Sequence, residues 1–179
     1  MRVATTDASL VQDTLQGDPK AFERLIERHE GTLLATAAHL MGDAEAGRDL
    51  AQDALISAYQ NLRTLRDPSR FGAWLFGILR NKCRRQMRKG RRAPVSAEVV
   101  EAPHTDPDVV ERRALLDALD RLPLDQKDIL SARYLHELSY DEIAALMDST
   151  PGSIRVRCLK ARRALRRILT EEEAMDDDE

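Results

Sequence analysis

The chain has 179 residues, with 28 Lys and Arg against 31 Asp and Glu, for a formal net charge of −3 at pH 7. Aromatic residues make up 4%, and Gly and Pro number only 8 and 7; that composition favours helices and argues against a β-sandwich, a propeller or a low-complexity chain. No stretch approaches the roughly 18 uncharged apolar residues of a membrane span, and Met1–Leu10 lacks the basic start and apolar core of a signal peptide. The expectation is a cytoplasmic protein with no membrane insertion.

The near balance of charge hides a segregation. Residues 80–92 hold eight cations and no anion, residues 155–170 hold seven cations and no anion, and residues 171–179 hold seven anions. Charge in blocks points to an anionic partner, nucleic acid first.

In chain order, Asp18-Pro19 is an N-cap followed by proline in the first helical position, and Phe22, Leu25, Ile26, Leu33, Ala37 and Leu40 follow at helical spacing as far as Gly42. His29 lies on this stripe and reads as a packed or hydrogen-bonded core histidine. Asp43 opens a helix to about Leu62, with Leu50, Ala51, Ala54, Leu55, Ala58 and Tyr59 inward and Asp49, Gln52, Asp53, Ile56 and Gln60 outward. An isoleucine among acids and amides fits a docking patch for a protein with a basic rim. It fits equally an ordinary solvated helix with one stray apolar residue.

The next helix starts at Pro68 or Ser69 and carries Phe71, Trp74, Leu75, Phe76, Ile78 and Leu79 before turning basic. Arg80, Arg84 and Arg88 form an i, i+4, i+8 row, and Phe76, Leu79, Cys83 and Met87 an apolar seam. Aromatics feeding into a basic row could stack unpaired bases, or Phe71 and Trp74 could simply fill the core. From 93 to 108 the periodicity stops; Pro94, Pro103 and Pro107 with Glu98, Glu101, Asp106 and Asp108 read as an acidic linker. Helical spacing resumes at about Val109, stops at Pro123, and returns over Leu124 to about His136, Tyr140–Met147 and Pro151–Leu169.

Ser139-Tyr140-Asp141-Glu142 is a capping box. After a turn through Asp148 and Ser149, Thr150 can cap a second helix with Pro151 in its first position. On that helix Ile154, Cys158, Ala161, Leu165 and Ile168 share one face, and Arg155, Lys160, Arg163, Arg166 and Arg167 the other, with Val156 and Leu159 beside them. A short helix, a tight turn and a basic second helix suit major-groove docking, in which arginines meet phosphates or guanine edges and Val156 could meet a thymine methyl.

The fold expected is all-α: two small helical domains, 10–92 and 109–170, joined by a flexible acidic linker, 93–108, and followed by an acidic disordered tail, 171–179. Cys83 and Cys158 have no C-x-x-C spacing and read as reduced core thiols. The four histidines are dispersed and the carboxylates form no recognisable cluster, so no metal, cofactor or nuclease centre is expected.

These features in this order resemble the extracytoplasmic-function group of bacterial sigma factors in the sigma-70 family. Asp49-Leu50-Ala51-Gln52-Asp53-Ala54-Leu55-Ile56 is similar to the core-binding helix of region 2.2, and Phe71-x-x-Trp74-Leu75-x-x-Ile78-x-x-Asn81 to regions 2.3 and 2.4. Leu119-x-x-Leu122-Pro123, then Leu138-Ser139-Tyr140-x-Glu142-Ile143-Ala144 and Gly152-Ser153-Ile154-Arg155-x-Arg157, are similar to region 4.

The resemblance implies a non-catalytic subunit, without a cofactor, that directs core RNA polymerase to promoter DNA. By it, Asp49, Gln52, Asp53 and Ile56 meet the clamp helices of the β′ subunit. The loop around Asn61–Ser69, with Asn61, Arg63 and Arg66, holds a flipped-out base, and Phe71, Trp74, Arg80, Asn81, Arg84 and Arg88 engage the −10 element. Ser149, Thr150, Ser153, Arg155, Val156, Arg157, Lys160 and Arg163 read the −35 element, region 4 binds the β flap, and the linker threads the polymerase cleft. An anti-sigma factor is an expected partner.

The chain departs from the family pattern at Gly77, where a basic residue is frequent, at Arg85, where an acid is common, at Leu55 for phenylalanine, and at Asp148 in place of the turn glycine. A stand-alone helix-turn-helix regulator is the other reading.

Overall fold

The computed structural model describes residues 5–90, 115 and 117–176. The chain divides into two units, Met1–Arg92 and Ala93–Glu179, and among the described residues there is no strand. The expected linker, 93–108, lies outside the described residues.

The first unit holds α1 (Asp7–Leu15), α2 (Pro19–Met41), α3 (Ala44–Asn61), two 3₁₀ turns (Leu62–Thr64 and Pro68–Arg70) and α4 (Phe71–Gly90). Short polar side chains start its helices. Asp18 accepts from the Lys20 amide at 3.0 Å, and Asp43 from the amides of Glu45 and Ala46 at 2.9 and 3.0 Å. Between them Gly42 ends α2 at φ 66°, a left-handed conformation that glycine adopts without steric cost. A two-residue connection therefore folds α3 back along α2.

Helix α1 is an addition to the sequence reading, which started the domain at residue 10. It is nine residues long, too short to show a convincing period, and tertiary contacts hold it. Leu10 and Val11 are buried. Asp7 receives Arg28 Nη1 at 3.0 Å and lies 2.6 Å from His29 Nε2, while Arg28 Nη2 donates to the Thr5 carbonyl at 2.6 Å. His29 is thus hydrogen-bonded, as expected for that position, and its ring also lies 5.3 Å from that of Phe71.

Large side chains fill the core from three helices: Phe22, Leu25, Leu33 and Leu40 on α2, Phe71, Leu75, Phe76 and Leu79 on α4, and Leu10 on α1. Each such burial contributes about 1.5–3 kcal/mol relative to exposure. The buried face of α3 is different, formed by Gly47, Ala51, Ala54 and Ala58. A Cβ on Gly47 would stand 2.5 Å from the Ala38 nitrogen, 2.6 Å from its Cα and 2.8 Å from the Ala37 carbonyl carbon. Backbone meets backbone here.

The second unit contains helical residues 117–120, then α5 (Leu124–Leu130), a π-helical turn (Ser131–Leu135), α6 (Tyr140–Leu146) and α7 (Pro151–Asp176). Ala118, Leu122, Ile129, Leu130, Cys158, Ala161 and Ile168 form one buried cluster, joined by Leu165 and Met147. Lys127 is buried beside them, its Nζ 2.8 Å from Asp120 Oδ1. Where the periodicity predicts one helix from Leu124 to about His136, the α-helix stops at Leu130 and widens. The His136 amide reaches the Ser131 carbonyl at 3.1 Å, and Glu137 follows at φ 53°.

Helix α7 also outruns its expected end near Leu169. The helix continues to Asp176, so the expectation of a disordered segment from Glu171 is corrected over 171–176. That stretch contains glutamates, Ala174 and Met175, good helix formers, and no Gly or Pro to stop the helix. Cys83 and Cys158 are both buried and outside any disulfide, and no described helix is long and apolar enough to cross a membrane.

Two glycine-to-alanine substitutions test the close approach. Gly47→Ala should destabilise the protein by about 1–3 kcal/mol, since only backbone surrounds the new methyl. Gly31→Ala, in α2 with open space around the site, should stabilise by about 0.5–1 kcal/mol. Urea unfolding of the two variants measures both; equal effects would contradict the geometry.

Candidate nucleic-acid interface

The helix-turn-helix is built from caps. Ser139 Oγ accepts from the Glu142 amide at 3.2 Å, and Glu142 Oε2 accepts from the Ser139 amide at 2.9 Å and its hydroxyl at 2.8 Å. Helix α6 then ends in a turn with Asp148 at φ 49° and the Ser149 amide on the Ala144 carbonyl at 2.9 Å. Aspartate tolerates this left-handed conformation better than most residues, as expected at the position where the resemblance implies a glycine. Thr150 Oγ1 accepts from the Ser153 amide at 3.2 Å and starts α7.

One face of α7 is buried through Ile154, Cys158, Ala161 and Ile168. The other exposes Thr150, Ser153, Arg155, Val156, Lys160 and Arg163, with Val156 52% accessible. Six of the eight residues expected to read the −35 element therefore share an open surface. Ser149 and Arg157 are half-buried at its edge. Arg133 and Tyr140, to which the sequence assigns no contact, adjoin this surface: both Arg133 and Arg155 approach the Tyr140 ring. Residues so far apart in sequence carry no local signal of that meeting.

In the first unit, Asp49, Gln52, Asp53 and Ile56 all lie on the exposed face of α3, Ile56 at 50%. Lys82 Nζ of α4 stands 3.9 Å from Asp53 Oδ2, a contact too exposed to contribute much. Tyr59, expected on the inward face, is exposed instead. The small-residue face leaves no space for its ring between helices, and the ring packs at the edge on Phe22, 4.9 Å between centroids. Ile56 and Tyr59 are thereby neighbours at i, i+3 on an otherwise polar surface.

The connection from α3 to α4 presents Asn61, Arg63 and Arg66 to solvent between two hydrogen-bonded ends. Asn61 Nδ2 donates to the Ser57 carbonyl at 2.8 Å, and Thr64 Oγ1 to the Asn61 carbonyl at 2.8 Å. At the other end Asp67 accepts from the Ser69 amide at 3.0 Å and its hydroxyl at 2.6 Å. The Ser69 hydroxyl and amide, with some help from the Arg70 charge, hold the Asp67 carboxyl below its ordinary value.

Helix α4 buries two of the residues expected at DNA. Phe71 is buried, edge-on to Phe22 at 6.4 Å, because the first turn of α4 starts inside the core. Trp74 remains half-exposed beside it, 6.1 Å between centroids. Arg80 is also buried, at 8%: it stands one turn beyond Phe76 and one turn before Cys83, and so overlies the apolar seam. The expected basic row therefore emerges gradually, with Arg84 half-buried and Arg88 exposed. Asn81, Arg85, Arg88 and Lys89, at i, i+4, i+7 and i+8, make up the open polar face; Arg85 and Lys89 are absent from the contacts expected from the sequence.

Both units match known families. The family model for sigma-70 region 2 matches residues 25–93, and that for sigma-70 region 4 matches residues 112–165. The chain is 32% identical to the RNA polymerase sigma-H factor of Pseudomonas aeruginosa, over 91% of this chain and 93% of that protein. It is 30% identical to the ECF RNA polymerase sigma-E factor of Escherichia coli, over 89% and 92%. Among solved structures, the sigma factor RpoE in complex with the anti-sigma factor NepR from Bartonella quintana superposes with a TM-score of 0.74 at 27% identity, covering 84% of this chain and 98% of that one. CnrH in complex with the cytosolic domain of CnrY shares the fold, with a TM-score of 0.71 at 24% identity over 92% and 97%.

The Asp67 turn carries a pH prediction. Its folded-state pKa is depressed, so its contribution to local order is present above the unfolded value near 3.8 and is lost as pH falls through the folded value. An NMR titration should find the Asp67 carboxyl titrating below 3.8, and Ser69→Ala should move it upward. An unchanged titration in that variant would remove the cause assigned to the shift.

Proposed function

The chain belongs to the extracytoplasmic-function group of the sigma-70 family and directs transcription initiation by RNA polymerase, and we propose that it does so by binding alone, through three separate surfaces. Its work is in the cytoplasm, on core polymerase and promoter DNA, and none of its side chains makes or breaks a bond. The exposed α3 face, Asp49, Gln52, Asp53 and Ile56, docks on the clamp helices of β′, with Tyr59 extending the apolar centre. An apolar centre within a polar rim is the usual anatomy of such contacts.

The loop with Asn61, Arg63 and Arg66 receives a base flipped out of the −10 element, beside half-exposed Trp74. Asn81, Arg84 and Arg88, joined by Arg85, hold the adjoining backbone. Capturing an unstacked base offsets part of an unstacking cost of a few kcal/mol, and this is the proposed source of promoter melting. In the second unit, α7 enters the major groove at the −35 element with Thr150, Ser153, Arg155, Val156, Lys160 and Arg163, while the same unit meets the β flap. The linker threads the polymerase, which fixes the spacing of the two DNA-binding units and raises their effective concentration. An anti-sigma factor of the kind seen with the Bartonella quintana relative is a proposed regulator.

The observation that supports this reading most is the exposed basic face of α7, presented by a fully capped helix-turn-helix. A stand-alone regulator is not favoured, since it would leave the surface of α3 without a task.

Single substitutions separate the surfaces. Ile56→Asp, at an exposed position, should weaken binding to core polymerase by about tenfold or more and leave the unfolding midpoint unchanged. Lys160→Ala should leave core binding intact and flatten the salt dependence of promoter binding by about 0.9 log unit per log unit of salt. Titration of fluorescent chain with core enzyme, then of the holoenzyme with promoter DNA, measures both. Core affinity indifferent to Ile56→Asp would remove α3 from the interface.

A further inference from the structure

Arg155 stands in the first turns of α7, exposed to solvent. Among the described residues no carboxylate pairs with it. Its guanidinium carbon instead lies 5.1 Å from the centre of the Tyr140 ring, which is the first residue of α6 and half-buried. Arg133, from the π-helical turn, lies 5.2 Å from the same centre, and its Nη1 donates to the Leu138 carbonyl at 3.0 Å. Three elements of the second unit meet at one aromatic ring.

The chemistry of this meeting is specific. The negative face of an aromatic ring attracts a guanidinium, and arginine also stacks on it through its planar group. Two cations near one ring repel each other, and that repulsion is relieved when an anion arrives. A freely rotating arginine loses several rotamers when it binds, a cost met at the moment of binding. An arginine already laid on a ring loses fewer. Arg133 is itself fixed by its bond to Leu138, so the ring is held from the side of the turn as well.

We propose that Tyr140 is a positioning residue for DNA recognition: its ring holds Arg155 pre-ordered at the entry of α7, so that a phosphate or base edge of the −35 duplex meets a guanidinium already in place. The proposal rests on the assignment of α7 as the DNA-reading helix. It requires the ring and not the hydroxyl, which separates it from a role of Tyr140 as a direct hydrogen-bond donor to DNA. Arg133 contributes the second positive charge of the local field.

The test uses the full chain with core polymerase and a promoter duplex selected by the wild-type holoenzyme from a random library. Tyr140→Leu should weaken promoter binding about threefold to fivefold, the scale of an exposed cation–π contact. Tyr140→Phe should stay within about twofold of wild type, since the ring contact is kept. The double variant Y140L/R155A should bind no more weakly than R155A alone. In the free chain, the side-chain protons of Arg155 should show an upfield ring-current shift in wild type and in Y140F; this reading needs no destabilised variant.

Additive effects of Y140L and R155A would overturn the proposal, as would Arg155 shifts at ordinary values in wild type or Y140F as weak as Y140L. A chain that holds Arg155 on the ring, yet whose holoenzyme selects no duplex, would instead overturn the assignment of α7 and the DNA role of Tyr140 with it.

Discussion

At Gly47 the backbones of α2 and α3 come so close that no side chain fits between them, and the arrangement of the first unit follows from that contact. The buried face of α3 is small along its length, Gly47, Ala51, Ala54 and Ala58, so α3 brings little volume of its own to the core. Its neighbours supply the large side chains, Phe22 and Leu25 on one side and Phe71, Leu75 and Phe76 on the other. A helix packed this closely is held in rotation, because turning it would drive a Leu or Tyr into the backbone of α2. The rotation in turn decides which residues face outward. Asp49, Gln52, Asp53 and Ile56 form an open surface because the opposite side of α3 admits nothing larger than a methyl group.

The same logic of close local constraint, carried by hydrogen bonds, governs the second unit. Its core cluster is modest and its short helix α6 has only seven residues, fewer than an isolated helix needs to be stable in water. The reciprocal bonds between Ser139 and Glu142, the left-handed Asp148 and the Thr150 cap supply what length cannot. They fix where α7 begins, and so which of its residues stand in the first turns. Charge then completes the surface. The outward residues of α7 from 155 to 170 include cations and no acid, and such a face is stable next to an anion and strained by its own repulsion without one.

Much of this was legible in the amino-acid order. The caps at Asp18, Asp43, Ser139 and Thr150 and the stop at Gly42 act through bonds within a few residues, so sequence alone locates them. The two faces of α7 follow from the helical period for the same reason. What the order leaves open has a different cause. Tyr59, Phe71 and Arg80 sit where a helical wheel cannot decide between core and surface without knowing how near the next helix lies. Tyr59 is expelled by the close packing of α3, whereas Phe71 is drawn in by a helix that begins inside the core and Arg80 by the apolar seam it overlies. The widening after Leu130 depends on a bond from His136 to Ser131, one residue longer than the α-helical pattern. The continuation of α7 past Leu169 reflects helix propensity, which charge counting overlooks. The meeting of Arg133, Tyr140 and Arg155 is wholly tertiary.

Taken together, the formal charge of −3 describes no surface of the molecule. In the proposed reading, the acids and the isoleucine of α3 face one kind of partner, and the cations of α4 and α7 another. The two cationic surfaces lie on two units, and in that reading polymerase must hold them at one spacing for a promoter to be read. The most direct measurement of that claim is run-off transcription by core polymerase on a library of promoter fragments, with and without the full chain. The account predicts transcripts that start at defined positions only when the chain is present, downstream of two short sequence elements at a fixed separation. Start sites unchanged by the chain, or a chain that binds those elements equally well without polymerase, would contradict it.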